Sequence, residues 1–363
     1  MQVLLFNSQF FHQKYGGVSR YSACLANELI KKKIDLKVIS PIYKNNYLKE
    51  INKTNICGIH LPKYPNLKLL RFFNNVLVNF CKKNLNANII HNLYYPEKLD
   101  INPKKKILTI HDTIHEKYKN LYKADYFNFR KKIIENMDMF ICVSQNTKGD
   151  LINFYNVDEN KINVVPHGYE HLTNIQTQNL KKSGIFEKPF ILYVGGRYKY
   201  KNFKLLAKAY SKINQINNNF NIICYGGENI SIDELRFFKK LKIDTKVFKL
   251  NGNDSFLKTL YENCSLYVST SEYEGFGLTI LEAIYSNCKI LSNDIGVFRK
   301  IYNNSINYFE FNNLDHLIFQ LKDLLLDEKN YAVDHERKRV LQNNSWDNAA
   351  NMTKKVYEIV SNT

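Results

Sequence analysis

Short apolar runs alternate with longer amphipathic stretches along almost the whole chain. The apolar runs predict strands at 2–6, 35–40, 88–91, 107–110, 139–143 and 162–165, then at 190–194, 220–225, 247–250, 265–269, 289–292 and 307–310. Helical periodicity predicts helices at 18–32, 127–136, 202–215, 255–263 and 277–286. Strands that alternate with helices predict an α/β fold of parallel sheets with helices on both faces.

The alternation pauses at 171–189, a polar stretch that ends in proline, and we place a linker there. The sequence therefore predicts two Rossmann-like domains, 1–172 and 188–346, that face a central cleft. Ligands are expected in that cleft, at the carboxyl ends of the strands. A last helix, 347–363, is expected to cross back onto the first domain.

Length and composition narrow the class of protein. A chain of 363 residues is too long for one ordinary core, and it contains no run of 18 apolar residues that would span a membrane. The first residues resemble a strand and not a signal peptide. The seven cysteines are scattered without metal-binding spacing, which favours reduced thiols in a cytoplasmic protein and no metal site.

The net charge of +18 is concentrated in the first half, where residues 1–180 hold 26 Lys and Arg against 14 Asp and Glu. Such a surplus suits nucleic acid, an anionic membrane surface or phosphorylated ligands. No signature of a nucleic-acid-binding module is present, so we expect no nucleic-acid partner. Lys31–Lys33, Lys104–Lys106 and Arg130–Lys132 are expected to contribute to a basic face.

Two positions in the first half are candidates for ligand contacts. Gly16 and Gly17 precede a predicted helix, where glycine permits close backbone approach and the helix N-terminus offers amide donors to an anion. His111 ends an apolar strand, where it can bond a sugar hydroxyl or a phosphate, with Asp112 orienting it. A structural turn and a histidine satisfied by the backbone remain the alternatives.

The second half contains two stronger candidates. A predicted strand ends in Gly195 and Gly196 and is followed by Arg197 and Lys201, two cations that suit a diphosphate beside a helix start. The segment 270–282 brings a glycine turn to a second helix start, with one glutamate before the turn and another within the helix. Its candidate donor-binding residues are Glu274, Gly275, Phe276, Gly277, Leu278, Thr279 and Glu282. Two phosphate-binding helix starts with two hydroxyl-binding acids predict a nucleotide diphosphate sugar as the ligand.

These motifs together resemble the GT-B retaining glycosyltransferases of family 4. The resemblance rests on "SEYEGFGLTILEA", on "YVGGRYKYKNFKLL", which is similar to mannosyltransferase-like members, and on "TIHD", "VVPHG", "CVSQNTKGDL", "CYGGENISIDE" and "NNSWDNAANMTKKVYEIV". It spans nearly the whole chain.

The resemblance implies a role for each matching residue. Arg197 and Lys201 would neutralise the diphosphate leaving group, and Glu282 would bind ribose. Glu274 and the backbone of 275–277 would hold the donor sugar. His111 would touch that sugar near its anomeric carbon, and Gly17 would approach the diphosphate. No Asp-x-Asp is present, which fits a metal-independent mechanism. The expected donor substrate is GDP- or UDP-linked, and no cofactor is expected.

The implied function is transfer of a hexose, mannose or a related sugar, to a glycan or lipid-linked acceptor in surface polysaccharide or lipopolysaccharide biosynthesis. A nucleotide-sugar epimerase or hydrolase of the same build is one alternative, and a non-enzymatic binder of anionic surfaces is another. Arg299 lies where the family often has an acid. It is therefore expected either to alter the contacts to the ribose or the base, or to affect only its own loop. The segment 68–84 is apolar with basic ends, and it either covers the first sheet or lies on a membrane interface.

Overall fold

The computed structural model describes residues 2–64, 68–99, 104–121, 124–180, 184–197, 199–326 and 334–362. The chain forms two compact units, one of Met1–Gly168 with Asn344–Thr363 and one of Tyr169–Asn343. We call them unit 1 and unit 2. Each is built on its own parallel sheet.

Unit 1 contains a sheet of seven strands in the order β3-β2-β1-β4-β5-β6-β7. The strands are β1 Gln2–Phe6, β2 Asp35–Tyr43, β3 Ile56–His60, β4 Ile89–Asn92, β5 Lys105–Ile110, β6 Met139–Cys142 and β7 Ile162–Val164. All neighbouring pairs are parallel. Strand β1 lies between β2 and β4, so the strand order reverses direction beside β1.

Unit 2 contains a sheet of six strands in the order β10-β9-β8-β11-β12-β13, again all parallel. Its strands are β8 Phe190–Val194, β9 Asn221–Tyr225, β10 Val247–Leu250, β11 Leu266–Ser269, β12 Ile290–Asn293 and β13 Asn307–Phe309. Here the order reverses at β8, which lies between β9 and β11.

Helices connect the strands in both units. Those of unit 1 are α1 Gln9–His12, α2 Gly17–Lys31, α3 Lys68–Asn84, α4 Ile114–Lys117, α5 Ala124–Glu135, α6 Gln145–Tyr155 and, from the end of the chain, α15 Trp346–Asn362. Those of unit 2 are α7 Phe203–Ser211, α8 Asn214–Asn219, α9 Ile232–Lys240, α10 Asp254–Asn263, α11 Leu278–Tyr285, α12 Gly296–Tyr302, α13 Leu314–Leu326 and α14 Asp334–Asn343. The predicted α/β class is confirmed, and every predicted strand is present within a few residues of its predicted bounds.

Two local features differ from the sequence prediction. Strand β3 was not predicted, because Gly58 interrupts its apolar pattern; a Cβ there would lie 1.7 Å from the carbonyl oxygen of Ser40, so the two backbones approach closely. The helix expected at 202–215 ends at Ser211, and a separate helix starts at Asn214. Ile213, which precedes it, is not helical (φ −113°, ψ 89°).

The polar stretch expected to be a linker lies within unit 2, because the change of unit falls at Gly168. Its residues 181–183 lie outside the described part of the chain. Upstream of them, Thr259 accepts a hydrogen bond from the backbone of Gln178 at 2.9 Å, and Lys258 donates one to the carbonyl of Ile175. Backbone groups of this polar stretch therefore form hydrogen bonds with side chains of α10 and are not bonded by solvent alone.

The C-terminal helix completes the core of unit 1. Trp346, Val356, Tyr357 and Val360 of α15 are buried in the same cluster as the inward face of α2 and strands of the sheet. The hydroxyl of Tyr357 lies 2.7 Å from Nδ1 of the buried His91. The predicted return of the last helix to the first half of the chain is thus confirmed, and its cause is burial of this apolar face.

The expected basic face is only partly exposed, because several of its cations are inside. Arg130 is 1% exposed and donates to both carboxylate oxygens of Glu116, at 2.8 and 3.0 Å. Its guanidinium also lies 4.0 Å from the centre of the Tyr95 ring. Lys106 is buried as well, and Lys104 donates to the carbonyl of Lys82. Arg130 and Lys106 therefore do not belong to an exposed patch.

We predict that Arg130→Met lowers the free energy of unfolding by about 3–5 kcal/mol, because it leaves the Glu116 carboxylate buried without its cation. Arg299→Met is the matched control, because the Arg299 and Asp294 side chains are 46% and 33% exposed and the loss of such an ion pair should cost at most about 1 kcal/mol. Urea unfolding at neutral pH measures both. Equal losses in the two variants would contradict the distinction.

Candidate functional site

The two loops that follow β8 and β11 start from adjacent strands at the point where the order of the unit 2 sheet reverses. Because successive crossovers leave in opposite directions there, such a point opens a crevice at the carboxyl ends of the strands. The loop after β8 carries Gly195, Gly196, Arg197 and Lys201, and the loop after β11 carries residues 270–277. The structure therefore brings the candidate residues of the second half together in unit 2.

The loop after β8 is held in place by buried hydroxyl groups. The Tyr193 hydroxyl lies 3.0 Å from the carbonyl oxygen of Gly196 and 3.1 Å from that of Lys201, and the Thr270 hydroxyl donates to the Lys201 carbonyl at 2.8 Å. Burial raises the pKa of Tyr193 well above its usual range, so it stays protonated and can donate. The Thr270 hydroxyl and the Tyr193 hydroxyl, whose single proton is shared between the two carbonyls, hold the Lys201 backbone in place.

Lys201 and Glu274 form an ion pair, with 2.5 Å between Nζ and Oε1. Their side chains are 23% and 17% exposed, so both remain accessible to a ligand. A lysine that is already paired with a carboxylate can exchange it for a phosphate oxygen, since both partners are anionic oxygens. The carboxylate is then free to accept hydrogen bonds from hydroxyl groups.

Arg197 is buried and points to a different partner. Its Nε lies 2.8 Å from Oε1 of Glu234, and Nη2 donates to the carbonyl of Glu228 at 2.8 Å. Burial favours protonation of Glu234, but its bonds to Arg197 and Ser231 outweigh this and lower its pKa. The remaining nitrogen, Nη1, is buried without a hydrogen-bond partner among the described residues. Nη1 therefore has hydrogen-bonding capacity that the described residues do not use.

The glycine turn before α11 has a conformation that only glycine adopts without strain at its last position. Gly277 has φ +93°, and a Cβ there would lie 2.4 Å from Cε1 of Phe298. No side chain caps α11, and its first turn contains no acidic residue. The hydroxyl of Thr279 in that turn accepts a hydrogen bond from Tyr267 at 2.8 Å. The start of α11 thus presents backbone amides and positive dipole to the crevice.

Glu282 is buried on the inner face of α11, and both of its oxygens have partners. Oε1 lies 2.9 Å from Nε2 of His171, and Oε2 accepts a hydrogen bond from Tyr261 at 3.0 Å. The side chains of His171 and Glu282 are 3% and 4% exposed. A ribose diol that binds Glu282 would have to share or replace these bonds.

In unit 1, Gly16 and Gly17 lie at the start of α2, which follows β1. No side chain caps this helix, and a Cβ on Gly17 would meet nothing within 4 Å. Tyr21 of the next turn packs edge-on against His111, with 4.7 Å between ring centres. The structure therefore brings the helix start and His111 to the same edge of the unit 1 sheet.

The sequence indicates Asp112 as the residue that orients His111. In the structure a backbone carbonyl orients the ring instead. Nε2 lies 2.9 Å from the oxygen of Leu93, while Asp112 Oδ1 accepts from the amide of Ile114 at 3.1 Å. Burial lowers the pKa of His111 to about 4, so the ring is neutral at pH 7. With its proton on Nε2, the ring carries a lone pair on Nδ1 that can accept a hydrogen bond.

Four side chains that build the unit 2 site were not assigned from the sequence: Glu234, His171, Tyr261 and Glu272. Glu272 accepts hydrogen bonds from Asn202 at 3.0 Å and from Asn312 at 3.1 Å, and so ties the loop after β8 to the one after β13. The first three act through partners 21 to 111 residues distant. Only the capping-box pattern at Ser231 and Glu234 was available as a local signal.

Arg299 affects its loop and not the crevice residues. It donates to both oxygens of Asp294, at 2.7 and 2.8 Å, and its guanidinium lies 3.8 Å from the centre of the Tyr308 ring.

Within the described part of the chain, no group of three or more His, Cys, Asp or Glu side chains is arranged to hold a metal ion. None of the helices in that part is long and apolar enough to cross a bilayer.

Two protein-family models match the chain, one in each half. The model for Glycosyltransferase Family 4 matches residues 15–171, and that for Glycosyl transferases group 1 matches residues 175–345. An uncharacterized glycosyltransferase of Methanocaldococcus jannaschii is 28% identical over 60% of this chain and 59% of its own length. The O-antigen chain mannosyltransferase RfbU of Salmonella typhimurium is 27% identical over 56% of each. The chain thus spans a little over half the length of these two relatives.

Among solved structures, HepE of Anabaena in complex with UDP and glucose superposes with a TM-score of 0.75 at 13% identity. The match covers 99% of both chains. At this identity the likeness shows the fold. The GT-B class with two Rossmann-like sheets, which the sequence resemblance implied, is confirmed.

We predict that Gly277→Ala lowers the free energy of unfolding by about 1–3 kcal/mol, because alanine is strained at this φ and meets Phe298. Gly149→Ala is the control: it lies within α6, its Cβ would meet nothing within 4 Å, and it should gain up to about 1 kcal/mol. Urea unfolding gives the two signs. A stabilising Gly277→Ala would show that the turn is not constrained as described.

We also predict that stability falls as the pH is lowered below 6.5, because unfolded His111 is protonated near that pH whereas the folded ring resists protonation until about pH 4. Between these values the unfolded state binds more protons, at about 1.4 kcal/mol per pH unit for one group. In His111→Gln the slope of the free energy of unfolding against pH should be smaller by the contribution of about one proton. Urea unfolding of both proteins between pH 4.5 and 7 measures this, and identical slopes would contradict it.

Proposed function

We propose that this chain, which belongs to the group 1 and family 4 glycosyltransferases, is a retaining, metal-independent hexosyltransferase. Its donor is a nucleotide diphosphate sugar, GDP- or UDP-linked, and its acceptor is a glycan or a lipid-linked oligosaccharide. The product would serve surface polysaccharide or lipopolysaccharide biosynthesis on the cytoplasmic side of a membrane, where the basic protein makes peripheral contact.

The observation that carries this proposal is the Lys201–Glu274 pair beside the uncapped start of α11. It combines a cation and the first backbone amides of α11, which would bind phosphate, with a carboxylate that would bind hydroxyl groups. A diphosphate linked to a sugar is the ligand that uses all three. Nη1 of Arg197, which is buried without a hydrogen-bond partner among the described residues, would supply a further donor.

In the proposed reaction the bond between the anomeric carbon and the diphosphate oxygen breaks, and the acceptor oxygen forms the new bond on the same face. The acceptor hydroxyl gives its proton to the departing phosphate oxygen, so no protein base is required. Charge builds up on the diphosphate as the bond breaks. Lys201, Arg197 and the α11 amides would stabilise that charge without a metal ion, in a site organised before the reaction.

The remaining residues position the donor. Glu274, released from Lys201, would accept hydrogen bonds from sugar hydroxyls, with the backbone of 275–277 beside it. Glu282 would bind the ribose diol in place of its present partners. In unit 1, Gly17 would approach the diphosphate, and the Nδ1 lone pair of His111 would accept a hydrogen bond from the sugar. These assignments follow the family resemblance residue by residue.

Mannose or a related hexose is the proposed sugar. Its support is the resemblance of the 193–206 segment to mannosyltransferase-like members, together with the mannosyltransferase named among the relatives. Because one structural neighbour is named in complex with UDP, UDP-linked donors are included beside GDP-linked ones.

A panel of GDP- and UDP-sugars, assayed by titration calorimetry and then with labelled donor and a lipid-linked acceptor, tests the proposal. We expect one donor class to bind and its sugar to appear in the acceptor with unchanged anomeric configuration. Donor turnover that is independent of acceptor would favour an epimerase or hydrolase. Binding of no donor in the panel would refute the assignment.

We predict that Lys201→Ala and Glu274→Ala each lower kcat/KM for transfer by about 10²–10³, because each removes a group that contacts the donor or its developing charge. The circular dichroism spectrum should be unchanged. Lys204→Ala is the control, since Lys204 is exposed on the following helix and belongs to no part of the site. A comparable loss in the control would indicate a general charge effect instead.

A further inference from the structure

Helix α3 of unit 1 exposes a continuous apolar face. Six of its side chains are large, apolar and 44–64% exposed: Leu69, Phe72, Phe73, Val76, Leu77 and Phe80. At about 100° per residue these positions fall within an arc of about 140°. We call these six residues the α3 apolar face. A contiguous exposed apolar area of this kind on a protein surface marks an interaction site.

The opposite side of α3 is firmly attached to the sheet. Asn74, Val78 and Lys82 are its buried residues, and the Asn74 side chain accepts a hydrogen bond from the amide of Ile42 at 3.0 Å. Lys82 donates to Asn92 and lies 4.4 Å from the centre of the Phe6 ring. The sequence offers two alternatives for this helix, covering the sheet or lying on a membrane interface. They concern different faces: one face covers the sheet, and the α3 apolar face is exposed.

The exposed charges of α3 itself are all positive. They belong to Lys68, Arg71 and Lys83, and the helix contains no acidic residue. The neighbouring carboxylate, Glu97, is bound by Arg71 at 2.8 Å and by His12 at 2.5 Å. These bonds outweigh the effect of its burial and lower its pKa to about 2, so this carboxylate is charged and already compensated. Lys98 lies over the Phe72 ring, 5.3 Å from its centre, and adds a further cation.

We infer that the α3 apolar face docks unit 1 on the surface of an anionic lipid bilayer. Aromatic and aliphatic side chains would enter the boundary between headgroups and acyl chains, and Lys68, Lys83 and Lys98 would meet anionic headgroups. The helix would lie in the plane of the membrane, because its fixed inner face holds it parallel to the sheet. None of the six residues is assigned to the proposed transfer site, so lipid binding can be measured without donor.

Charge decides between a bilayer and a second copy of this chain as the occupant. Two copies that met through this face would bring the cations of both helices together, and like charges across an interface are unfavourable. An anionic bilayer satisfies the cations and the apolar face at once. Exposed apolar residues nearby, Ile59 at 68% and Leu99 at 41%, would enlarge the contact.

Sedimentation of the full chain with vesicles tests the inference. Vesicles of phosphatidylcholine with about a quarter phosphatidylglycerol should bind the protein. Pure phosphatidylcholine should bind it at least about tenfold more weakly, because each of the three basic residues contributes about fivefold in affinity at an anionic surface. Rising salt should weaken binding. No binding to the anionic vesicles would overturn the inference.

Matched variants locate the contact. Phe80→Ser should weaken vesicle binding by about tenfold, since it removes a large side chain from the apolar contact. Phe319→Ser on α13, where the phenylalanine is 61% exposed compared with 64% for Phe80, is the control and should bind as the wild type does. Equal effects of the two substitutions, or no effect of either, would exclude α3 as the site.

A spectroscopic measurement separates docking from self-association. Because the chain's own Trp346 is buried in the core, Phe73→Trp adds a reporter whose emission should shift to the blue and be quenched by brominated lipid when vesicles are added. Sedimentation velocity without lipid should show monomers. A dimer that Phe80→Ser dissociates, with no quenching by lipid, would assign the face to a second copy and overturn the proposal.

Discussion

The order of strands in the unit 2 sheet is the constraint on which the candidate site depends. Strand β8 lies between β9 and β11, so the loops after β8 and β11 start side by side and diverge. This brings Lys201 to 2.5 Å from Glu274 although 73 residues separate them. With a different neighbour for β8, the same motifs would lie on separate parts of the surface.

Charged groups in this site are paired with partners from the protein itself. Lys201 is paired with Glu274, Arg197 with Glu234, and Glu282 with His171 and Tyr261. Burying any one of these charges alone would be costly, so the pairing permits the site to be preformed. Under the proposed function, a ligand would exchange partners with the protein, and an anionic, hydroxyl-rich molecule could offer the replacement groups that an apolar one lacks.

The buried cations of unit 1 and its exposed apolar residues have a common explanation in the sheet. Arg130 and Lys82 reach partners inside the unit, so the basic composition of the first half does not translate directly into a basic surface. Conversely, α3 needs only one of its faces to cover the sheet, and its remaining apolar face is exposed. Net charge and hydrophobicity therefore indicated possible partners, while burial decided which residues were available to meet them.

The sequence by itself determined the fold class, the strands and the positions of the motifs, because apolar periodicity and glycine turns are local properties of the chain. It also placed Gly277 in a turn before a helix, where the backbone requires glycine. It missed β3, whose Gly58 is explained only by the close approach of Ser40. It indicated Asp112 as the partner of His111, where the carbonyl of Leu93 occupies that position. The partners of Arg197 and Glu282, and the division of α3 into a covered and an exposed face, were decided by the tertiary structure alone, since they depend on contacts between residues far apart in the chain.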